Sequence, residues 1–182
     1  MGTRHLIEVV HNGEIKVAQY GQWDGYPSGQ GVDILKFLHN HDLAVFATKV
    51  DGCTFINRDK IRQYYVDAGD SPENKSGFIS IEISNKFKEM HPALSRDAGA
   101  EVLSMIYDSE NGIELSDSRD FANDTLFCEY AYVIDLDSNT FVCYATGKTN
   151  KIYECSLLEL PDEETFLKSC KTNDEDEEEG VE

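Results

Sequence analysis

The densest chemistry in the chain lies at Gly21–Gly31, read Gly-Gln-Trp-Asp-Gly-Tyr-Pro-Ser-Gly-Gln-Gly. These eleven positions hold four of the 13 glycines, one of the 4 prolines and the single tryptophan. A glycine-rich turn entering a helix can offer backbone N–H groups to an anion, aided by the helix macrodipole. Gly29 and Gly31 would allow that close approach. Trp23 and Tyr26 could stack on a ring, while Gln22, Asp24 and Gln30 could read polar edges. The spacing is neither a P-loop nor G-x-G-x-x-G. The same residues also suit a packed structural loop. There the glycines set the turns, the aromatics cover the core and the polar side chains satisfy backbone groups.

Other candidates are sparser. Arg96-Asp97 could hold a ligand carboxylate, or Asp97 could cap a helix beside a surface ion pair. His39 and His41 are two residues apart, so on a helix they diverge and cannot share a metal. They read as a polar helix end, and no metal site or cofactor is expected. The five cysteines lack a C-x-x-C pair and are odd in number. Reduced thiols in a cytoplasmic protein are the expectation.

These residues need elements to position them. Arg4–Tyr20 reads as a β-hairpin: His5–Val10 is rich in β-branched residues, and Asn12-Gly13 supplies the positive φ angles of a tight turn. A helix from Gly31 to about Asp42 follows, with Ile34, Leu35 and Leu38 at core spacing. Leu43–Val50 is apolar and suits strand or helix. Asn57 or Asp59 caps a short helix through Tyr65, and Ala68–Ser76 reads as a surface loop. Ile79–Met90 is helical, Pro92 breaks it, and Ser95 or Asp97 caps a helix over Ala98–Tyr107. A second hairpin spans Phe127–Ala145. Ile152–Leu160 adds an edge strand and Asp162–Ser169 a short helix. Hairpin, helices, hairpin is an α+β order: an antiparallel sheet from the N-terminal and C-terminal hairpins, packed with the central helices.

Length and charge bound the functions. The 182 residues suit one domain, expected over 1–170, followed by a disordered acidic tail at 171–182. The tail accounts for −6 of the net charge of −19, leaving −13 on the first 170 residues. So acidic a chain is not expected to bind nucleic acid through its phosphate backbone. No apolar run reaches the ~20 residues of a membrane span. The charge instead admits an acidic protein that imitates nucleic acid and occupies a basic partner's groove.

Two resemblances add to this. The segments Thr3-Arg4-His5-Leu6-Ile7 and KVAQYGQWDGYPSGQG (residues 16–31), with Leu94–Ala100 and Glu129–Asp137, resemble an uncharacterised protein family of bacteriophages, bacteria and fungi. They cover about a fifth of the chain, and the resemblance carries no activity. A hairpin that begins with Thr and leads into a four-layer α+β body is similar to the N-terminal nucleophile hydrolases. That resemblance implies an amidohydrolase with Thr3 as nucleophile, and it requires a cut that exposes Thr3. Three functions follow as expectations. The first is a non-catalytic binding module for a small polar ligand or a protein partner, using Gln22, Trp23, Asp24, Tyr26, Gly29, Gln30, Gly31, Arg96 and Asp97. The second is the acidic, possible phage-encoded inhibitor of a basic host or defence protein. The third is the Thr3 hydrolase.

Overall fold

The structure is a computed structural model that describes residues 2–74 and 76–178, with side chains as far as Cys170. The expectations for the tail fall on side chains 171–182 and backbone 179–182, which lie outside the described residues.

The first hairpin pairs β1 (His5–His11) with β2 (Glu14–Gly21), antiparallel. Its turn has Asn12 at φ 55° and Gly13 at φ 73°, the left-handed pair that a two-residue turn of this hand requires. Asp137 locks it from across the sheet, since its carboxylate accepts both N–H groups at 2.8 Å. The second hairpin is β5 (Tyr130–Asp135) and β6 (Thr140–Ala145), extended by the edge strand β7 (Asn150–Ser156). The strand order is β2-β1-β5-β6-β7.

The fold is α+β, but the sheet is mixed, which corrects the antiparallel expectation. β1 and β5 run parallel, His5 opposite Tyr130 through Val10 opposite Asp135. The reason is topological. Two hairpins joined by a long helical excursion can meet through strands pointing the same way, since the excursion serves as the crossover. A second, parallel ladder joins β3 (Thr54–Ile56) to β4 (Glu114–Ser116). Three residues per strand left no periodicity to read. Among the described residues, one five-stranded sheet and this short ladder are not the stacked sheets of a four-layer body.

The helices are α1 (Val32–Asn40), α2 (Leu43–Asp51), α3 (Arg58–Asp67), α4 (Ile81–Met90), α5 (Glu101–Asp108) and α6 (Glu163–Glu178). Leu43–Val50 is thus helical. Asp42 starts it by accepting from Ala44 N–H at 2.8 Å and Val45 N–H at 3.2 Å. Asn57 caps α3 through Lys60 N–H, and Ser80 caps α4 through Ile83 N–H.

Strand alternation divides the core. Ile7, Val9, Tyr132 and Ile134 face the helices and join Ile34, Leu38, Phe46, Leu103 and Ile106. Leu6 and Ala131 face the other way, under Ala122 and Cys128. On that second face Glu8 is almost wholly buried and pairs with Lys148 Nζ at 2.6 Å.

Candidate functional site

The glycine-rich segment runs from the end of β2 to the start of α1. The N–H groups of Gln22, Gly25, Gly29, Gln30 and Gly31 all find backbone partners inside the protein. Gly21 closes β2 opposite His5, and a Cβ there would lie 2.1 Å from the imidazole Cε1. Asp24 takes φ 55°, a left-handed conformation that Asp tolerates and that turns the chain back. Gly25 N–H then donates to Thr3 O at 3.0 Å, and Gly25 O accepts the Tyr132 hydroxyl at 2.7 Å. Pro27–Gly31 forms one turn of π-helix that passes directly into α1. Gly29 and Gly31 both donate to Tyr26 O, and Gln30 N–H donates to Asp24 O. Gly31 packs against Phe166 and Tyr132, and a Cβ on Gly29 would meet Asp24 O at 2.4 Å. The expected amides for an anion are therefore consumed within the turn. The glycines are needed for close packing.

The segment leading into α5 binds this loop at three points. Gln22 N–H donates to Arg96 O at 3.0 Å. The Trp23 indole Nε1–H donates to Asp97 Oδ1 at 3.0 Å. Gln30 Oε1 accepts from Ala100 N–H at 2.6 Å. Thus Gln22 meets Arg96, Trp23 meets Asp97 and Gln30 meets Ala100 across about 70 residues of chain, a convergence that no spacing announced. It also revises the capping expectation. α5 starts at Glu101, its cap residue Ala100 has no polar side chain, and Gln30 supplies the acceptor that Ser95 or Asp97 was expected to give. Ser95 instead receives Asp97 N–H on its hydroxyl at 3.2 Å.

Although the backbone is pinned, the two aromatics are open. Trp23 is 49% exposed and Tyr26 51% exposed. Neither lines any of the recesses described below, so both rings are presented on the surface. Asp24 is exposed beside them. The recesses lie alongside. One, about 430 Å³, runs between α1 and α5 and includes Gln30, Lys36, His41, Asp97 and Glu101. Another of about 430 Å³ is bounded by Tyr65, Phe87, Lys88, Ser95, Arg96 and Asp97. Asp97 stands on the ridge between them. Its Oδ2 also receives Lys88 Nζ at 3.4 Å.

Several neighbours were missing from the sequence reading. Tyr20 donates its hydroxyl to Gln22 Oε1 at 2.6 Å and packs edge-on against Phe121. Burial raises the Tyr20 pKa, opposed by the guanidinium groups of Arg4 and Arg96. Burial raises that of Tyr65 too, again opposed by Arg96. Arg4 stacks over the Phe127 ring at 4.7 Å. Arg96 was already a candidate in the sequence; Tyr20, Tyr65, Phe121 and Arg4 were not, since strand ends and single residues carry no motif.

Thr3 is only 4% exposed, and its carbonyl holds Gly25. Gly2 lies against Trp23, where a Cβ would be 2.2 Å from the indole Cε3. That setting uses Thr3 structurally. His5, two residues on, is fully buried with no hydrogen-bond partner for either ring nitrogen among the described residues. Burial lowers its pKa to about 4, with the Thr3 backbone as a weaker opposing influence. His39 Nε2 meets Pro161 O and His41 Nδ1 meets Phe37 O, both at 2.8 Å, as suits helix-end residues. Among the described residues no group of three or more His, Cys, Asp or Glu could hold a metal. None of the five cysteines is in a disulfide, and burial pushes the Cys128 thiol up to about 12. No helix of the described residues is long and apolar enough to cross a membrane.

Compared with known proteins, the chain matches no family model, no curated protein and no solved structure at a significant level.

Proposed function

We propose that this chain is a non-catalytic binding module for a small polar ligand or a protein partner, with the Trp23–Tyr26 surface as its contact face. One observation carries the reading. Two large aromatics stand half exposed on a backbone immobilised by internal hydrogen bonds, and the indole N–H is already oriented by Asp97. An aromatic contact fixed before binding loses little conformational entropy when a partner arrives. Both rings present apolar faces to solvent, a surface that folding alone leaves unused. Arg96 and Asp97 extend the face toward the neighbouring recess.

The acidic inhibitor is the second reading, supported by the −13 that remains on residues 1–170. It requires a basic partner that binds through charge, and so a complex that dissociates steeply with salt. The module reading is tested by titrating nucleotides, other metabolites and candidate peptides against Trp23 emission. Trp23 is the single tryptophan, so any response reports this face. A saturable spectral change with at least one compound supports the reading. Silence across the panel, with no change in thermal stability, removes it.

A further inference from the structure

We infer that the recess at Arg96 is an oxyanion site, taking a carboxylate or phosphate carried on a small planar group. The inference deepens the binding reading and rests on it.

The first argument is charge. The chain carries 35 acidic and 16 basic residues, so a basic side chain on its surface is seldom far from a carboxylate. Accordingly Lys16, Lys36, Lys60, Arg62, Lys88, Arg119, Lys148 and Lys151 are all ion-paired. Arg96 is exposed and, like Arg4, Lys49, Arg58 and Lys86, forms no ion pair among the described residues. The charges of both Arg4 and Arg96 act on Tyr20. An unpaired cation on a strongly acidic body presents an attractive point for an anion.

The second argument is shape and donor chemistry. Arg96 borders the recess of about 430 Å³ together with Lys88, Ser84 and Asn85. Arg96 supplies a planar two-pronged donor and Ser84 and Asn85 neutral hydrogen-bonding groups, while Lys88 is held by Asp97. A guanidinium matches a carboxylate or phosphate edge bidentately. Tyr65 and the exposed Phe78 also line the recess, and Tyr65 stacks on the buried Phe87 with ring centroids 4.0 Å apart and planes 7° from parallel. Aromatic side chains beside a guanidinium suit a planar organic group bearing a terminal oxyanion. The one carboxylate present, Asp97, is engaged by Lys88 and Trp23. Its link to the indole makes Trp23 a reporter of events in the recess.

The test is calorimetric titration of the full chain with phenyl phosphate, benzoate and inorganic phosphate, with benzyl alcohol as the uncharged comparison. Phenyl phosphate or benzoate is expected to bind saturably, more weakly as salt rises. Arg96→Gln is expected to weaken it at least about tenfold, the loss of a charge-assisted bidentate contact. Lys88→Gln weakens it less, and Arg58→Gln, in a different recess, leaves it unchanged. Arg96 holds the loop through its backbone carbonyl, so the Gln variant retains that bond. The inference is overturned if none of the three anions binds, if Arg96→Gln binds as well as wild type, or if benzyl alcohol binds equally. Tighter binding of phenyl phosphate than benzoate assigns the phosphate source, and the reverse assigns the carboxylate. If panel ligands respond through Trp23 while the anions fail, the module reading stands and this inference falls. If the anions bind through Arg96 but Trp23→Ala and Tyr26→Ala bind every ligand as wild type, the oxyanion site stands and the aromatic face is discarded.

Discussion

The Trp23 indole N–H donates to Asp97 Oδ1 at 3.0 Å, joining a loop residue to a residue 74 positions later. This bond sets the direction of a half-exposed ring, so removing the acceptor should free the ring. We expect Asp97→Ala to red-shift and broaden Trp23 emission and to lower stability by about 1 kcal/mol. Asp97→Asn keeps a carbonyl acceptor in the same place, and its emission should stay near wild type. Steady-state fluorescence and urea unfolding of the two variants check this.

Gln30 is the side-chain acceptor for Ala100 N–H at the start of α5. Gln30→Ala leaves that N–H without its partner at a helix end that has no cap of its own. The expected loss is about 1–2 kcal/mol in chemical denaturation. Gln30→Glu retains an acceptor and should lose less. Equal losses in both variants would mean that the bond contributes nothing to α5.

Gly29 tests whether the loop is rigidly packed. A Cβ there would stand 2.4 Å from the Asp24 carbonyl oxygen, a backbone atom that cannot turn aside. Gly29→Ala should therefore cost about 1–3 kcal/mol, as over-packing does in a well-filled interior. A stability within a few tenths of a kcal/mol of wild type would show that the turn is looser than its hydrogen bonds imply.

His5 gives the chain a distinct acid sensitivity. Its ordinary pKa is 6.5, and burial lowers it in the folded protein to about 4. Between those values the unfolded chain binds a proton that the folded chain refuses. Stability therefore falls as pH drops through this window, by about 3 kcal/mol in all. The carboxylates held below their usual range, such as Asp70 beside Arg62 and Asp137 on the Asn12 and Gly13 amides, act lower. Their contribution is present above the unfolded values and lost as pH falls through the folded ones. His5→Phe keeps a ring over Gly21 and should flatten the curve between pH 6.5 and about 4 only. Urea midpoints measured across that range would reveal it, and an unchanged slope would count against the buried, neutral histidine.

The hairpins were legible because Asn12-Gly13 and the alternation of Ile7, Val9 and Val17 report local geometry. The parallel pairing of β1 with β5 was not, since it depends on how the helical excursion returns. The glycine loop was legible as a special place, but its character was not. Gly29 and Gly31 look alike in sequence whether their amides face a ligand or close a turn onto Tyr26. Likewise Gln22, Trp23 and Gln30 became neighbours of Arg96, Asp97 and Ala100 only through tertiary packing, which one sequence does not encode as a spacing. Arg96 was legible as a possible carboxylate holder, but the recess it borders with Ser84 and Asn85 was not, because these residues come together only in the fold.

The contact face itself is tested most directly by ligand-induced thermal stabilisation of wild type against Trp23→Ala and Tyr26→Ala. The account predicts that a compound from the metabolite and peptide panel raises the wild-type melting temperature in a concentration-dependent way. Both variants should fold and lose that response. A stabilising compound whose effect survives in both variants would contradict the claim that these half-exposed rings are where the protein meets its partner.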